Sequence, residues 1–496
     1  MSLNKTYQRT LILTLLVKLT LAFFLPMSGD EAYFIIWAKN LDFGYYDHPP
    51  MVGWIIYLMG YFGDSELVMR LPAVLLFTMI GMGIYRLLQP YDANRAAWVA
   101  IIYLISPVNI LGVLITTDVP LILFCFLSVY ALVRALQLNQ LLWYILSGVA
   151  LGLAFLSKYF AVLIGLAYLM YFIFTPNGKQ RWIGFSLLIL ASLPFVAVNV
   201  YWNYTHCWVN ILFNIYNRNE GVSFSYNGVL AYFATTLYLM SPPVAYYLWR
   251  QYAGAKPFEA VELRLYTFAF LVPMAVFLIL SLKKSIGVHW FLAFYPFFYL
   301  LLAQKLSELQ LKNVAKFLAW FTSAHLLVIA VLLIAPTSML QHFKFYSGYV
   351  FLIHTDELAA QLRPYEGEFL MSTDSYSDSA VISYHYGKEL FVFGDGSHHA
   401  RQDDINTDFR KMFGRDILIF DKSIPNLSKF TPYFSSVVVH KLKVRDAVFY
   451  VTLGYNFNYS AYRDEVLYSV REKYYQVPSF LPLAPCYFRE KYFSDN

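Results

Sequence analysis

The sequence predicts a polytopic α-helical membrane protein of about eleven spans, followed by a C-terminal extracytoplasmic α/β domain. Three observations predict it. The 496 residues are 59% hydrophobic and 19% aromatic but only 14% charged, with a mean hydropathy of +0.50. Soluble domains carry roughly 25% charged residues. The charges are also unevenly placed. Residues 1–335 hold 20 Lys/Arg and 12 Asp/Glu, whereas residues 336–496 hold 17 and 19. Finally, apolar runs close to the ~20 residues needed to cross a bilayer recur through the first two-thirds. This composition excludes a disordered chain, a collagen-like chain and a nucleic-acid scaffold, so nucleic acid is not an expected partner. The net charge of +6 divides into +8 before residue 336 and −2 after it. That division reads as a topology signal.

Eleven spans are expected at 10–26, 70–89, 95–114, 118–136, 141–157, 159–175, 181–200, 228–249, 264–281, 288–304 and 314–335. The first follows Lys5 and Arg9 without a small-residue cleavage site, so it reads as a retained helix. Lys18 within it must snorkel or face protein. With the N-terminus cytoplasmic, thirteen Lys/Arg fall at inner loops and helix ends and six at outer ones, in keeping with the positive-inside bias. An odd number of spans then puts residues 336–496 outside. Eight of the twelve acidic residues of the membrane part also fall outside: Asp30, Glu31, Asp42, Asp47, Asp64, Glu66, Asp118 and Glu220. Charge near hydrocarbon is costly and often marks function. An outward-facing acidic site is therefore the main expectation.

The outer loop at 27–69 carries Ser28-Gly29-Asp30-Glu31-Ala32-Tyr33 and Tyr45-Tyr46-Asp47-His48-Pro49-Pro50. The unbroken aromatic and apolar stretch 32–40 predicts a short interfacial helix, and 52–61 a second. Asp30 and Glu31 are candidate catalytic residues, because a carboxylate here can act as general base on a hydroxyl. The alternative is that Asp30 caps the interfacial helix and Glu31 sits in its first turn. Asp118, in Thr116-Thr117-Asp118-Val119-Pro120, is a third catalytic candidate, against the alternative of an N-cap. Lys158, Lys283 and Lys284 stand at outer helix junctions, against the positive-inside bias. They could hold a lipid phosphate as point charges, or snorkel to headgroups. Asp47 with His48 could help bind a divalent metal, although no metal-ligand spacing supports it. The 200–227 loop contributes Trp202-Asn203, His206, Trp208, Arg218 and Glu220. A lone histidine such as His206 is more often a hydrogen-bonded structural residue than a ligand.

No Walker A motif and no glycine-rich dinucleotide fingerprint is present, so chemistry driven by cytosolic nucleotides is not expected. Gly29-Asp30-Glu31-Ala32-Tyr33, Tyr46-Asp47-His48-Pro49-Pro50, Thr117-Asp118-Val119-Pro120, Leu156-Ser157-Lys158-Tyr159, Trp202-Asn203-Tyr204-Thr205-His206 and His399-Ala400-Arg401-Gln402-Asp403 together resemble the bacterial branch of the protein O-mannosyltransferase superfamily. These are integral-membrane GT-C glycosyltransferases, related to the lipid A aminoarabinose transferase. The resemblance covers the membrane body and reaches the tail only through the His-Ala-Arg-Gln stretch.

The resemblance implies a sugar on a polyprenyl phosphate as donor, used on the outer side of the bacterial inner membrane, with an envelope lipid, glycan or protein as acceptor. It makes Asp30 the prime candidate for the base, with Asp118 orienting acceptor or donor. The family's acidic-Lys-Pro-Pro run is Asp47-His48-Pro49-Pro50 here. His48 thus replaces a lysine that faces the carrier phosphate, and that role could pass to Lys158, Arg218, Lys283 or Lys284. Tyr33, Tyr46, Asn203, His206 and His289 complete the set as substrate-binding candidates. No cofactor is required, and a divalent metal at Asp47 stays open.

In the tail, strands are expected at 369–371, 390–393, 417–420, 437–442 and 447–452, with a helix at 374–387, a small α/β domain. His398 and His399 fall in a loop where metal binding is one option and an ordinary surface position the other. Cys125 reads as a small buried residue. Cys207 and Cys486 would share the outer face, where a disulfide is conceivable but cannot be read from sequence. The rival function is a secondary transporter or lipid flippase with an outward acidic site. The long outer loop, the large tail and the one-sided polar residues argue against it, since a transporter needs a midplane site.

Overall fold

The computed structural model describes residues 3–176, 178–217, 224–250, 262–397, 399–482 and 484–494. The chain divides into two compact units. The first comprises Met1–Leu25, Pro49–Val198 and Gly221–Leu333; the second comprises Pro26–His48, Asn199–Glu220 and Ile334–Asn496. The front of the first outer loop and the 199–220 segment cluster with the tail.

In chain order the first helices are α1 (Leu3–Phe24), α2 (Gly29–Lys39), α3 (Met51–Gly60), α4 (Glu66–Leu88), α5 (Ala93–Ile105), α6 (Pro107–Leu111), α7 (Asp118–Leu138), α8 (Leu141–Phe155) and α9 (Val162–Phe174). They are followed by α10 (Lys179–Thr205), α11 (Val209–Ile215), α12 (Tyr226–Met240), α13 (Pro242–Trp249), α14 (Glu262–Ser281), α15 (Val288–Phe291), α16 (Tyr295–Lys305) and α17 (Glu308–Ile334). Among the described residues six of these are long and apolar enough to cross a bilayer: α1, α4, α7, α10, α14 and α17. Three expected spans are broken. The 95–114 run is cut at Ser106, whose extended backbone precedes Pro107. The 228–249 run is cut at Ser241, with φ of 68°, before Pro242 and Pro243. The 288–304 run breaks before Tyr295 and Pro296. Proline lacks the N–H that would continue the preceding helix, which is the common cause.

Within the first unit, polar groups in the helices are consumed by protein. Lys18 faces inward: it is fully buried and its Nζ donates to Thr78 Oγ1 at 2.9 Å. Arg70, also fully buried, donates to the carbonyls of Ala22 and Leu25 at 2.9 and 2.7 Å, so it satisfies the C-terminal end of α1. Ser128 Oγ donates to the Ser147 carbonyl and Ser147 Oγ to that of Ser128, cross-linking α7 and α8. Gly148 is required because a Cβ there would collide with the Leu188 backbone of α10.

In the second unit the expected tail elements are all present. Strands β1 (Leu370–Thr373), β2 (Phe391–Val392), β3 (Ile417–Asp421), β4 (Ser436–Val444) and β5 (Ala447–Tyr455) form one sheet in the order β2-β1-β3-β5-β4. The β1 strand pairs in parallel with β2 and β3, while β5 runs antiparallel to both β3 and β4. Every residue of β3 is buried, as a central strand requires. Helix α18 (Tyr346–Ile353) and α19 (Thr355–Leu362) precede the sheet, and α20 (Tyr376–Tyr386) makes the crossover from β1 to β2. The short α21 (Asp403–Asn406) follows β2.

Helix α2 packs on α20, and Gly29 lies against Ser377. One aromatic core joins Tyr46, Trp202 and Phe213 to Phe393, Phe409 and Tyr462 of the tail. Cys207 and Cys486 form a disulfide, with Cα atoms 4.5 Å apart across a sequence separation of 279. The pairing left open by the sequence is thus made. Neighbouring bonds reinforce it: Cys207 N–H donates to the Pro485 carbonyl and Trp208 Nε1 to that of Pro482. Cys125 is free and buried.

Candidate active site

The candidate site in the second unit starts from the cap of α2. Ser28 is the N-cap, and its hydroxyl accepts from Glu31 N–H; the Glu31 carboxylate accepts from Ser28 N–H at 3.2 Å. This capping box satisfies two orphan amides at once. Glu31, buried, is therefore occupied in holding the helix start. Asp30 is not the cap. It stands in the first turn, exposed, where the helix dipole favours a carboxylate. Tyr376, at the start of α20, lies within electrostatic reach of the Asp30 carboxylate. Burial first, then the charges of Asp30 and Asp47, push the Tyr376 phenol well up. It stays protonated and available as a donor.

Asp47 converges on the same place. It is 5% exposed, and its Oδ2 lies 3.8 Å from His399 Nδ1. Burial alone would raise its pKa, but His48 and His399 outweigh burial and hold the carboxyl below the usual range. Tyr33 closes the group: its hydroxyl donates to the His399 carbonyl at 3.3 Å, and its ring meets that of Tyr376 edge-on at 5.0 Å. His48 lies beside Trp37, ring centres 6.3 Å apart.

Three asparagines at helical spacing hold the 44–48 loop. Asn210 Nδ2 donates to the Tyr45 carbonyl at 2.7 Å, Asn214 Nδ2 to that of Asp47 at 3.2 Å, and Asn217 Nδ2 to the Tyr46 hydroxyl at 3.1 Å. From the tail, Gln402 Oε1 accepts from Tyr46 N–H at 2.7 Å. Tyr46, fully buried, is thus a structural anchor of the loop. The Arg401 side chain is buried with Asp404 and lies over Tyr474, which fixes the 399–404 stretch. Sequence reasoning assigned no role to Tyr376, Gln402 or the asparagines. The spacing Asn210, Asn214, Asn217 on one face of an otherwise apolar run was a readable signal.

Two other candidates are structural. Asn203 is fully buried; its Oδ1 accepts from Ile211 N–H and its Nδ2 donates to the Asn199 carbonyl, so it shapes the 203–211 bend. His206 stacks on Trp202 at 4.3 Å, bonds through Nδ1 to the Trp202 carbonyl and reaches Asp42 at 3.6 Å. The His206 contacts fit the hydrogen-bonded reading given for it. As for a metal, Asp47 Oδ1 is a buried oxygen with no hydrogen-bond partner, which would suit a cation. Yet among the described residues no three His, Cys, Asp or Glu side chains converge as a cation site.

In the first unit, Asp118 and Lys158 find each other. Lys158 Nζ donates to both carboxylate oxygens of Asp118, at 2.8 and 3.0 Å, and each side chain is 8% exposed. Asp118 is the first residue of α7 after Thr117, not its cap. Its carboxylate is committed to Lys158, so it positions that lysine and is not a free base. Lys283 is exposed, and Lys284 lies over the Trp290 ring at 5.4 Å, in the turn that follows α14. His289 is exposed beside them. Arg218 and His398 lie outside the described residues.

This architecture defines a multi-pass α-helical membrane protein with an α/β tail. Residues 47–202 match the dolichyl-phosphate-mannose-protein mannosyltransferase family. The fold is similar to the crystal structure of ArnT from Cupriavidus metallidurans in the apo state, with a TM-score of 0.63 and 14% identity, covering 91% of this chain and 98% of that one. The same enzyme bound to undecaprenyl phosphate also gives 0.63, at 15% identity, covering 89% and 97%. A lipid A galacturonosyltransferase, RgtD, from Rhizobium johnstonii is 25% identical over 181 residues; the match takes in 36% of this chain and 38% of that relative. The chain thus shares the fold of ArnT, and part of its helical region is similar to the mannosyltransferase family.

Proposed function

We propose that the protein is an inverting glycosyltransferase of the bacterial inner membrane. It moves a sugar from a polyprenyl-phosphate donor to a hydroxyl of an envelope acceptor on the outer face. The observation that carries this reading is the exposed Asp30 carboxylate, presented by a capped helix and facing the charge-sensitive phenol of Tyr376. The similarity to ArnT, crystallised with undecaprenyl phosphate, supports the donor class, and the similarity to RgtD supports a glycolipid acceptor such as lipid A. The Cys207–Cys486 disulfide supports an extracytoplasmic tail, because such bonds persist in oxidising compartments.

The acceptor hydroxyl loses its proton to Asp30 as its oxygen bonds to the anomeric carbon. The bond from that carbon to the phosphate oxygen breaks, and the polyprenyl phosphate leaves with the electron pair. Lys158, positioned by Asp118, and the Lys283-Lys284 pair are the cations assigned to the leaving phosphate, where fixed positive charge counts most. A single displacement inverts the anomeric centre without a covalent sugar–enzyme intermediate.

The test is transfer by purified protein from a panel of labelled polyprenyl-phosphate sugars to envelope fractions. Asp30→Asn is expected to lower transfer at least ~100-fold, the scale of general-base catalysis, with an unchanged melting midpoint. Full activity in Asp30→Asn refutes the base assignment. No transfer from any donor by the unaltered protein, alongside solute uptake in vesicles, favours a transporter.

A further inference from the structure

The second unit contains a cavity of about 400 Å³ bounded by α2, α20, β2 and α21. Its size falls within the range of small-ligand sites. The wall combines aromatic rings, Tyr33, Tyr376 and Phe391, with the polar side chains of Asp403, Asn406 and Arg415. Rings that cover C–H faces beside groups that bond hydroxyls are the combination a sugar ring requires. Tyr376 belongs both to this wall and to Asp30. A hydroxyl-bearing ligand here would therefore meet a residue that senses the charge of the proposed base.

The polar wall is fixed in advance. Asp403 Oδ2 accepts from Val392 N–H at 3.1 Å and from Thr407 Oγ1 at 3.0 Å. Burial raises the Asp403 carboxyl to about 7, above the opposing effect of these bonds. It can therefore donate or accept toward a hydroxyl near neutral pH.

We propose that this cavity is a saccharide subsite that holds the sugar moiety of the acceptor. The assignment rests on the glycosyltransferase reading for the word acceptor; saccharide binding itself does not. Full-length protein in detergent is examined by saturation-transfer NMR with three probes: lactose, the β-1,6-linked glucosamine disaccharide and methyl galacturonide. At least one probe is expected to bind, and Asn406→Trp, at an exposed rim position, is expected to weaken that binding at least tenfold. Asp403→Asn probes the same wall should the tryptophan lower the melting midpoint. Binding of no probe, or binding that is equal in both variants and the unaltered protein, overturns the proposal. Lost probe binding in the variants without transfer from any donor leaves the cavity standing and removes the transferase reading. Transfer with unchanged acceptor KM in both variants removes the cavity alone.

Discussion

Replacing Lys158 by methionine strips the Asp118 carboxylate of the ammonium that meets both its oxygens, at 2.8 and 3.0 Å. Both side chains are 8% exposed, so little water can replace the lost partner. Breaking a buried pair by removing one member costs about 3–5 kcal/mol. Asp118 opens α7, where the helix N-terminus returns about 0.3–1 kcal/mol to a carboxylate. The expected loss for Lys158→Met is therefore about 2–4 kcal/mol. Asp118→Asn leaves a buried ammonium without that compensation and is expected to cost about 3–5 kcal/mol. The double variant removes both charges, so its cost is expected to fall short of the summed singles by about 2 kcal/mol or more. Denaturant unfolding of the four proteins in the same detergent, followed by tryptophan fluorescence, measures this cycle. Single losses within about 0.5 kcal/mol of zero, or a double variant equal to the sum, would refute the argument and return Lys158 to a solvated, snorkelling role.

Two further outcomes are expected. Cys207→Ser should destabilise the second unit by about 3–5 kcal/mol, since the bond closes a long loop; a thermal melt with and without reductant checks it, and an unchanged midpoint counts against the bond. Asp403 has a folded pKa of about 7 against an ordinary 3.8. The folded state therefore holds a proton that the unfolded chain releases, so its contribution falls as pH rises from ~4 to ~7 and is flat above. Because the cavity admits water, the drop is about 1–3 kcal/mol. Asp403→Asn should flatten the pH dependence of the melting midpoint over that window; an identical slope in both proteins refutes the assignment.

Much of this architecture was legible in the sequence because it is written in period and composition. Each apolar run contains helix, and the five tail strands fall where alternating or apolar stretches lie between polar turns. The breaks at Ser106, Ser241 and Leu292–Phe294 were less legible, because hydropathy averages over the prolines that end a helix. Asp30, Asp47 and Tyr33 were legible as a group by their shared loop. Tyr376 was not, since it reaches Asp30 only through the packing of α20 on α2, more than 340 residues apart in sequence. Asp118 and Lys158 were each singled out for separate roles; their pairing is a tertiary fact that no local spacing encodes. Of the two readings open for Glu31, the structure shows the helix-start one, with Ser28 as the cap, and the Ser-x-x-Glu spacing of a capping box was present in Ser28-Gly29-Asp30-Glu31.

The bond between Cys207 and Cys486 also sets a timetable for biogenesis. Cys486 follows every membrane helix in the chain, so the bond can close only after the last of them has been made. At ~5–20 residues per second, extending the chain by the 279 positions from Cys207 to Cys486 takes about 14–56 s. Throughout that interval Cys207 waits as a thiol, open to premature pairing with another chain or to capture by a thiol oxidant. Closing this bond is therefore a late, long-range step in the making of the chain, and if it fails the second unit is the part left unfinished.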